Sequence, residues 1–553
     1  MFATEPPAAA PLSALDRRSL LKTGILGLGV AGAPLAAQSG GKGFSHGVAS
    51  GEPAAERVLL WTRFVGAQDT ALEFEVSEML DFSRVAAGGS VTARAENDWC
   101  CKAWAEGLEP GRWYYYRFTA PDGSHSDVGR TKTLPVGATD KFRMAVFSCS
   151  NLGFGWFNAY AHAAADGDFD CTLHLGDYLY EYGPGTYPSY EEAQSGRVLF
   201  PAREIVSLAD YRLRYATYRR DPDLRRLHQL FPMIAGWDDH ESANDSWEGG
   251  AQNHQSETEG EWSVRKAAAA RAYREWMPVS DEPWAAYEVG DLATLYRLET
   301  RLTARAEQFS YGQILSGKTS PEAAMAALVA FREGDYRDGS RELLGMKQQA
   351  WLADGLKRSA SAGKPWQVLV QQVLMGNLAT APRLTEGLPA GLPAYIRQRI
   401  LAGAMAGRAE LPLNMDAWDG YPAARERVFK AALDANANLI SLAGDTHNAW
   451  AFDLDHAGEK VGVELGVQGV TSPGLESYAS YLPVDVLERE TVAHNRQLKW
   501  MDGSRRGYMA VELTPASASS EFRFVSSVRE KGAGVNDTRR VSTQAGSRAL
   551  DMG

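Results

Sequence analysis

Cysteine is scarce. Four occur in 553 residues, and two of these, Cys100 and Cys101, are adjacent, which disfavours a bond between them. Cys149 and Cys171 fall at or beside runs that read as core strands. No disulfide framework is expected. The chain also lacks an apolar run of the ~20 residues that a membrane span needs. It has no low-complexity tract and no repeat of fixed period. No Gly-x-Ser-x-Gly turn follows a strand, which argues against a Ser-His-Asp hydrolase. No Gly-x-x-x-x-Gly-Lys-Ser/Thr phosphate loop is present. Positive charge is in deficit: 57 Lys and Arg stand against 69 Asp and Glu, a formal net charge of −12. A nucleic-acid surface needs clustered cations and is therefore not expected. A small anionic substrate remains compatible, because bound cations can dominate a local field.

What is present begins with a targeting pattern. Asp16–Lys22 reads DRRSLLK, an apolar Gly-rich run follows from Thr23 to about Leu35, and small residues come next, Ala36-Ala37-Gln38-Ser39. That is the order of an export signal. The pair Arg17-Arg18 resembles a twin-arginine signal, although Asp16 stands where Ser or Thr is usual and Leu20 where Phe is usual. Residues 1–39 are read as this signal, with the twin-arginine machinery as partner and a periplasmic or extracellular destination. Gly24, Gly27 and Gly29 lie inside it and are not a dinucleotide loop.

The remainder is long enough for more than one domain. Residues 42–135 read as strands and turns. RVLLWTRF (Arg57–Phe64) and LEFEV (Leu72–Val76) are strand-like, and GLEPGRWYYYRF (Gly107–Phe118) is a Pro-Gly turn entering an aromatic strand,. This is the pattern of a small β-sandwich in which a tyrosine near the strand start ties down the preceding loop. No exposed polar-aromatic motif stands out, so packing or a lid is favoured over a surface-binding module. Over residues 140–528 strand-like runs alternate with helical stretches at Trp156–Ala165, Leu208–Arg220, Ser263–Trp276, Gly345–Ala360 and Tyr421–Leu433. Alternation predicts a largely parallel inner sheet with helices outside. Tyr296–Thr300 reads as a strand and Leu302–Asp338 as an insertion. Residues 529–553 read as a polar, frayed tail.

The functional signal is repetition at strand ends. The run Cys171–Leu175 stops at Gly176-Asp177, and Tyr180 follows three residues later. Phe142–Phe147 ends at Ser148-Cys149-Ser150, Phe231–Ala235 at Trp237-Asp238-Asp239-His240-Glu241, and Leu439–Ala443 at Gly444-Asp445-Thr446-His447. In open α/β sheets that edge binds ligands. A thiolate is a strong metal ligand, a phenolate suits Fe(III), carboxylates suit Ca²⁺, and imidazole serves as ligand or proton donor. Each residue alone has an ordinary reading as a cap or core side chain. All four at equivalent strand ends predict a metal site.

These motifs, Ser-Cys, Gly-Asp-Tyr-x-Tyr, Asp-Asp-His-Glu and Gly-Asp-x-His in that order, resemble the PhoD-type alkaline phosphatase family, a branch of the calcineurin-like metallophosphoesterases. HGVASGEP (His46–Pro53), DYRLRY (Asp210–Tyr215), ANDSW (Ala243–Trp247), RKAAAARAYREWMP (Arg265–Pro278), WDGYPAARERV (Trp418–Val428) and TSPG (Thr471–Gly474) agree with it. The resemblance runs from about residue 44 to 525. It implies a four-layer αββα catalytic domain behind the small all-β sandwich, and a centre holding Fe(III) with Ca²⁺. Cys149, Asp177, Tyr180 and His447 match the iron ligands. Asp177 is implied to bridge to calcium, faced by Asp239 and Asp445, with Asn244 as a further oxygen ligand. His240 matches the catalytic histidine of the superfamily, and Asp238 beside it is the second catalytic candidate. Glu299-Thr300-Arg301 departs from the expected Asp-Thr-Arg. The implied activity is metal-dependent hydrolysis of phosphate esters, as an alkaline phosphatase with phosphodiesterase activity. A phospholipase D-like diesterase acting on lipid or teichoic-acid-type diesters, and a non-catalytic exported iron-binding protein, are the alternatives.

Overall fold

The computed structural model describes residues 41–553, apart from 386–387, 390 and 392–393. The export-signal reading of residues 1–39 lies outside them.

Short apolar runs dictate the centre of the molecule. Phe142–Phe147, Cys171–His174 and Pro232–Ala235 are buried along almost their whole length, as parallel strands covered on both faces must be. They lie side by side in a nine-stranded sheet. Its order is Val535–Gln544, Ser517–Val525, Gly507–Leu513, Phe142–Phe147, Cys171–His174, Pro232–Ala235, Gly43–Gly51, Arg57–Val65, Cys100–Glu106. A second sheet of seven strands runs Ala285–Val289, Ala293–Arg297, Trp366–Val370, Leu439–Ala443, Glu459–Gly466, Ala449–His456, Leu498–Asp502. Its first, sixth and seventh strands are antiparallel to their neighbours and its middle pairs are parallel.

The two sheets face each other. Met144, Val146, Leu173 and Ile234 of the first meet Leu295, Val368, Val370, Ile440 and Leu442 of the second in one apolar core. Helices Asn158–Asp166, Leu208–Tyr218 and Trp262–Trp276 cover the outer face of the first sheet through Tyr160, Tyr215, Ala269 and Trp276. Helices Gly345–Ser361 and Pro422–Asp434 cover the second through Leu352, Leu356, Val428 and Phe429. The result is the four-layer αββα arrangement, with every parallel strand end opening toward one edge.

The front region is all-β. A four-stranded sheet, Val85–Ala93, Thr70–Ser77, Trp113–Thr119, Gly129–Lys132, packs Phe74, Val76, Tyr114 and Tyr116 against Val48, Val58 and Leu60. The expected tyrosine tie is present: Glu109 N donates to the Tyr114 hydroxyl at 2.8 Å. The other face of this sandwich is not separate from the catalytic region. Gly43–Gly51 pairs in parallel with Pro232–Ala235 through Ser50–Pro232 and Gly51–Met233, so three front strands extend the nine-stranded sheet.

Two local expectations are corrected, and one is filled in. The segment from Arg529 is not a frayed tail: Val535–Gln544 is an antiparallel edge strand on Ser517–Val525. Its polar composition is that of a strand exposed on one face, with Val541 and Thr543 buried on the other. The strand read over Tyr296–Thr300 is Ala293–Arg297, because the Glu299 carboxylate accepts from the amides of Arg301, Leu302 and Thr303 and turns the chain there. The insertion contains helix Pro321–Glu333, whose Leu328 and Phe331 pack on Ala406, Ala409, Leu411 and Met415.

Candidate metal centre

Adjacent parallel strands deliver the site. Phe142–Phe147 ends at Cys149, Cys171–His174 at Asp177, and Pro232–Ala235 at Asp238–His240, while Leu439–Ala443 of the facing sheet ends at Asp445 and His447. Cys149, Asp177, Asp445 and His447 all take left-handed backbone, with φ of 58°, 54°, 65° and 66°. Non-glycine residues persist there only where the surroundings hold them. The glycines preceding the two aspartates are required by close approach. A Cβ on Gly176 would stand 2.4 Å from the Asp238 Cβ, and one on Gly444 2.2 Å from Ser148 Oγ.

The candidate ligands come together and are buried. Cys149, Asp177 and His447 offer atoms within 4.8 Å of one another, as do Asp177, Asp239 and His240, and Asp238, Asp239 and Asp445. Asp177 and Asp239 thus join three overlapping groups into one. The Tyr180 hydroxyl donates to Asp177 Oδ2 at 3.0 Å and lies 3.2 Å from His447 Nε2. It accepts from Ser472 Oγ at 2.7 Å. His447 Nδ1 donates to the Pro473 carbonyl at 2.6 Å, which turns Nε2 and its lone pair toward Asp177 and Tyr180. Asn244 sits beside the group with its Nδ2 donating to Gln252 at 3.0 Å, leaving its amide oxygen as the atom it offers.

Three carboxylate oxygens, Asp177 Oδ1, Asp238 Oδ2 and Asp445 Oδ2, are buried without a hydrogen-bond partner. Buried acceptors are normally satisfied, so the donor set fits cations. The proton balance agrees. Burial, then the Asp177 charge, pushes the Cys149 thiol well up. Burial pushes Asp177 and Asp238 well up and Asp445 to about 6. Asp239 goes the other way: burial is outweighed by His240 and Arg301. Acids crowded in this way need protons or metal ions.

Sequence reasoning missed three residues here. Glu181 accepts from His240 Nδ1 at 2.7 Å, from Asn244 N at 2.7 Å and from Asn253 Nδ2 at 3.0 Å, so it fixes the imidazole. Burial lowers the pKa of His240, but Asp239, Glu181 and Asp177 together hold it well above the usual range. Glu241 accepts from the amides of Asp177 (3.0 Å), Tyr178 (2.6 Å) and Asp238 (2.8 Å), locking two strand-end loops together. Arg301, fully buried, bonds Asp238 through Nε, Asp416 at 2.9 and 2.7 Å through Nη1, and Asp445 at 3.2 Å through Nη2. Its guanidinium staples a carboxylate of one sheet to a carboxylate of the other. Glu181 and Glu241 were visible as acids inside otherwise buried strand-end runs. In the sequence Arg301 stands out only as part of the Glu-Thr-Arg departure from pattern.

A two-sheet αββα domain with acids, thiol, phenol and imidazole at one strand edge is the architecture of a metallophosphoesterase. Comparison with known proteins agrees. Residues 144–522 match the PhoD-like phosphatase family and residues 29–135 match the PhoD-like phosphatase N-terminal domain. The chain is 31% identical over 522 residues to alkaline phosphatase D of Bacillus subtilis (strain 168), covering 89% of this chain and 79% of that one. It superposes on a solved structure of PhoD with a TM-score of 0.73 at 28% identity, covering 92% of this chain and 91% of that one. The chain belongs to the PhoD-like phosphatase family. It is accordingly a phosphatase, a hydrolase of phosphate esters.

Proposed function

We propose that this phosphatase works through a mixed Fe(III)–Ca²⁺ centre and accepts phosphodiesters as well as monoesters. The observation that carries this is the cluster of three unpartnered buried carboxylate oxygens beside a thiol, a phenol and an imidazole. Cys149, Asp177, Tyr180 and His447 hold the iron, the thiolate and phenolate favouring the trivalent ion. Asp239, Asp445 and Asn244 would offer calcium hard oxygens, and the carboxylate of Asp177 would be available to both ions. Such cations lower the pKa of a water from 15.7 toward about 7 and neutralise charge on phosphate oxygens.

The chain's own residues do the rest. The strand-end loops hold the ligands in place before substrate arrives, so little reorganisation is left for the reaction. Glu181 holds His240 Nδ1, which leaves Nε2 to protonate the departing alcohol oxygen. Arg301 fixes Asp238 and Asp445 so that the acids keep their spacing. Residues 1–39 supply a twin-arginine route to the periplasm or exterior. That reading is supported by Arg17-Arg18 and the apolar run after it. Among the described residues no helix is long and apolar enough to cross a membrane.

The test is hydrolysis of a chromogenic phosphate monoester and its matching diester by the mature protein. It is run with added Ca²⁺ and with a calcium chelator, and iron is measured in the same preparation. Turnover of both esters that is lost on chelation and restored by Ca²⁺ is expected. Full activity in iron-free or chelated protein overturns the mixed centre, and inertness toward the diester overturns its second activity.

A further inference from the structure

The centre does not end at its ligands. Asp445 and His447 also line a cleft whose walls include Leu374, Leu378, Leu413, Trp450, Leu475 and Tyr478. Four separate segments supply these side chains: the loop after Trp366–Val370, the loop before Trp418, the start of Ala449–His456, and the turn after Gly474. We infer that this cleft receives the organic group of the ester and selects an apolar, uncharged aryl or alkyl group over one carrying a further anionic charge. The inference rests on the phosphoesterase reading and names its substrate class.

Most of the polar groups in the walls are already engaged. Asn448 Nδ2 donates to the Thr446 carbonyl at 2.6 Å, and its Oδ1 accepts from Leu475 N at 3.0 Å. Thr446 Oγ1 accepts from Trp450 Nε1 at 2.7 Å. The Asp419 carboxylate takes the Leu378 amide at 2.9 Å and the Arg425 guanidinium. Asn414 Nδ2 has no acceptor; it offers one hydrogen bond to an oxygen of the bound group but brings no counter-charge. No lysine or arginine lines the cleft among the described residues. Of the cations beside it, Arg425 is turned to Asp419 and the Met375 carbonyl, and Arg506 to Glu476 and the His447 carbonyl. A carboxylate or second phosphate on the ester group would therefore lose its water with no counter-charge to meet it. A ring or alkyl chain gains by covering carbon with carbon.

The experiment compares kcat/KM for n-butyl phosphate, glycerol phosphate and 3-phosphoglycerate, primary alkyl phosphates chosen so that the departing alcohols react alike. Wild type should favour butyl phosphate over 3-phosphoglycerate by roughly tenfold or more. Leu475→Lys, which places an ammonium on the wall, should cut that ratio about tenfold, and Tyr478→Ala should lower it by weakening the butyl side. Both positions are partly exposed, and if Leu475→Lys does not fold, Tyr478→Ala and Leu413→Lys carry the test. Equal or better turnover of 3-phosphoglycerate by wild type, or a ratio that none of the folded variants moves, overturns the inference and leaves the phosphoesterase reading standing. Inertness of metal-loaded protein toward all three esters strikes the parent reading, and this one with it.

Discussion

Left-handed backbone costs a non-glycine residue on the order of 1–3 kcal/mol, and four residues of the centre adopt it. Such strain survives only where surrounding contacts hold it, so the site should be sensitive to single atoms. Cys149→Ser keeps the shape and removes the soft donor. It should lose iron and most activity, read by elemental analysis beside turnover. His240→Ala should behave differently, keeping iron and calcium while turnover falls about 10²–10⁴-fold. Loss of metal in that variant would make His240 a ligand. Cys149, Asp177, Asp445 and His447 were legible in the sequence because each stands just past an apolar strand run. Arg301 was not, because its partners Asp416 and Asp445 lie 115 and 144 residues away, and no local pattern encodes such a meeting.

At the level of elements, the site is a junction of loops, and Glu241 is its fastener. One carboxylate accepts three backbone amides from the turns after Cys171–His174 and Pro232–Ala235. Glu241→Gln sets an amide NH₂ against donors that need an acceptor. Leaving one buried amide unsatisfied costs about 1–3 kcal/mol. The variant should melt several degrees lower and bind iron more weakly, and an unchanged melting temperature with full iron content would refute the fastening role. Elements whose apolar period is strong were anticipated closely, as for Gly345–Ser361 and Pro422–Asp434. The hairpin of Ala449–His456 and Glu459–Gly466 was missed. It carries Asp453, Asp455, Glu459 and Lys460 in its outer half and so reads as loop. Its pairing in the sheet is what makes it strand.

Across the whole molecule, several histidines are buried in neutral form. Burial, aided by Arg63, lowers His46 to about 2; burial lowers His174 to about 3; and burial, aided by Arg219, lowers His228 well below its usual value. The unfolded chain protonates these groups near pH 6.5 and the folded chain does not, so stability is full above that pH and lost as pH falls toward about 3,. Each group contributes a slope of about 1.4 kcal/mol per pH unit. Denaturation free energies measured between pH 7 and the acid limit should fall steeply. His174→Gln should remove one such increment, and an unaltered slope would contradict the assignment. The shared sheet has a consequence of another kind. Gly43–Gly51 occupies the open side of Pro232–Ala235, the strand that presents Asp238, Asp239 and His240. A chain shortened to begin after the front sandwich would leave that strand with bare amides and carbonyls along one side, ready to recruit another molecule's edge. The front region is thus not a detachable accessory but the margin that covers the open side of the reactive strand. Evolution or engineering that exchanges it must preserve the Ser50–Pro232 and Gly51–Met233 pairing and the contacts around it, such as Glu52 with Tyr287 and Arg297.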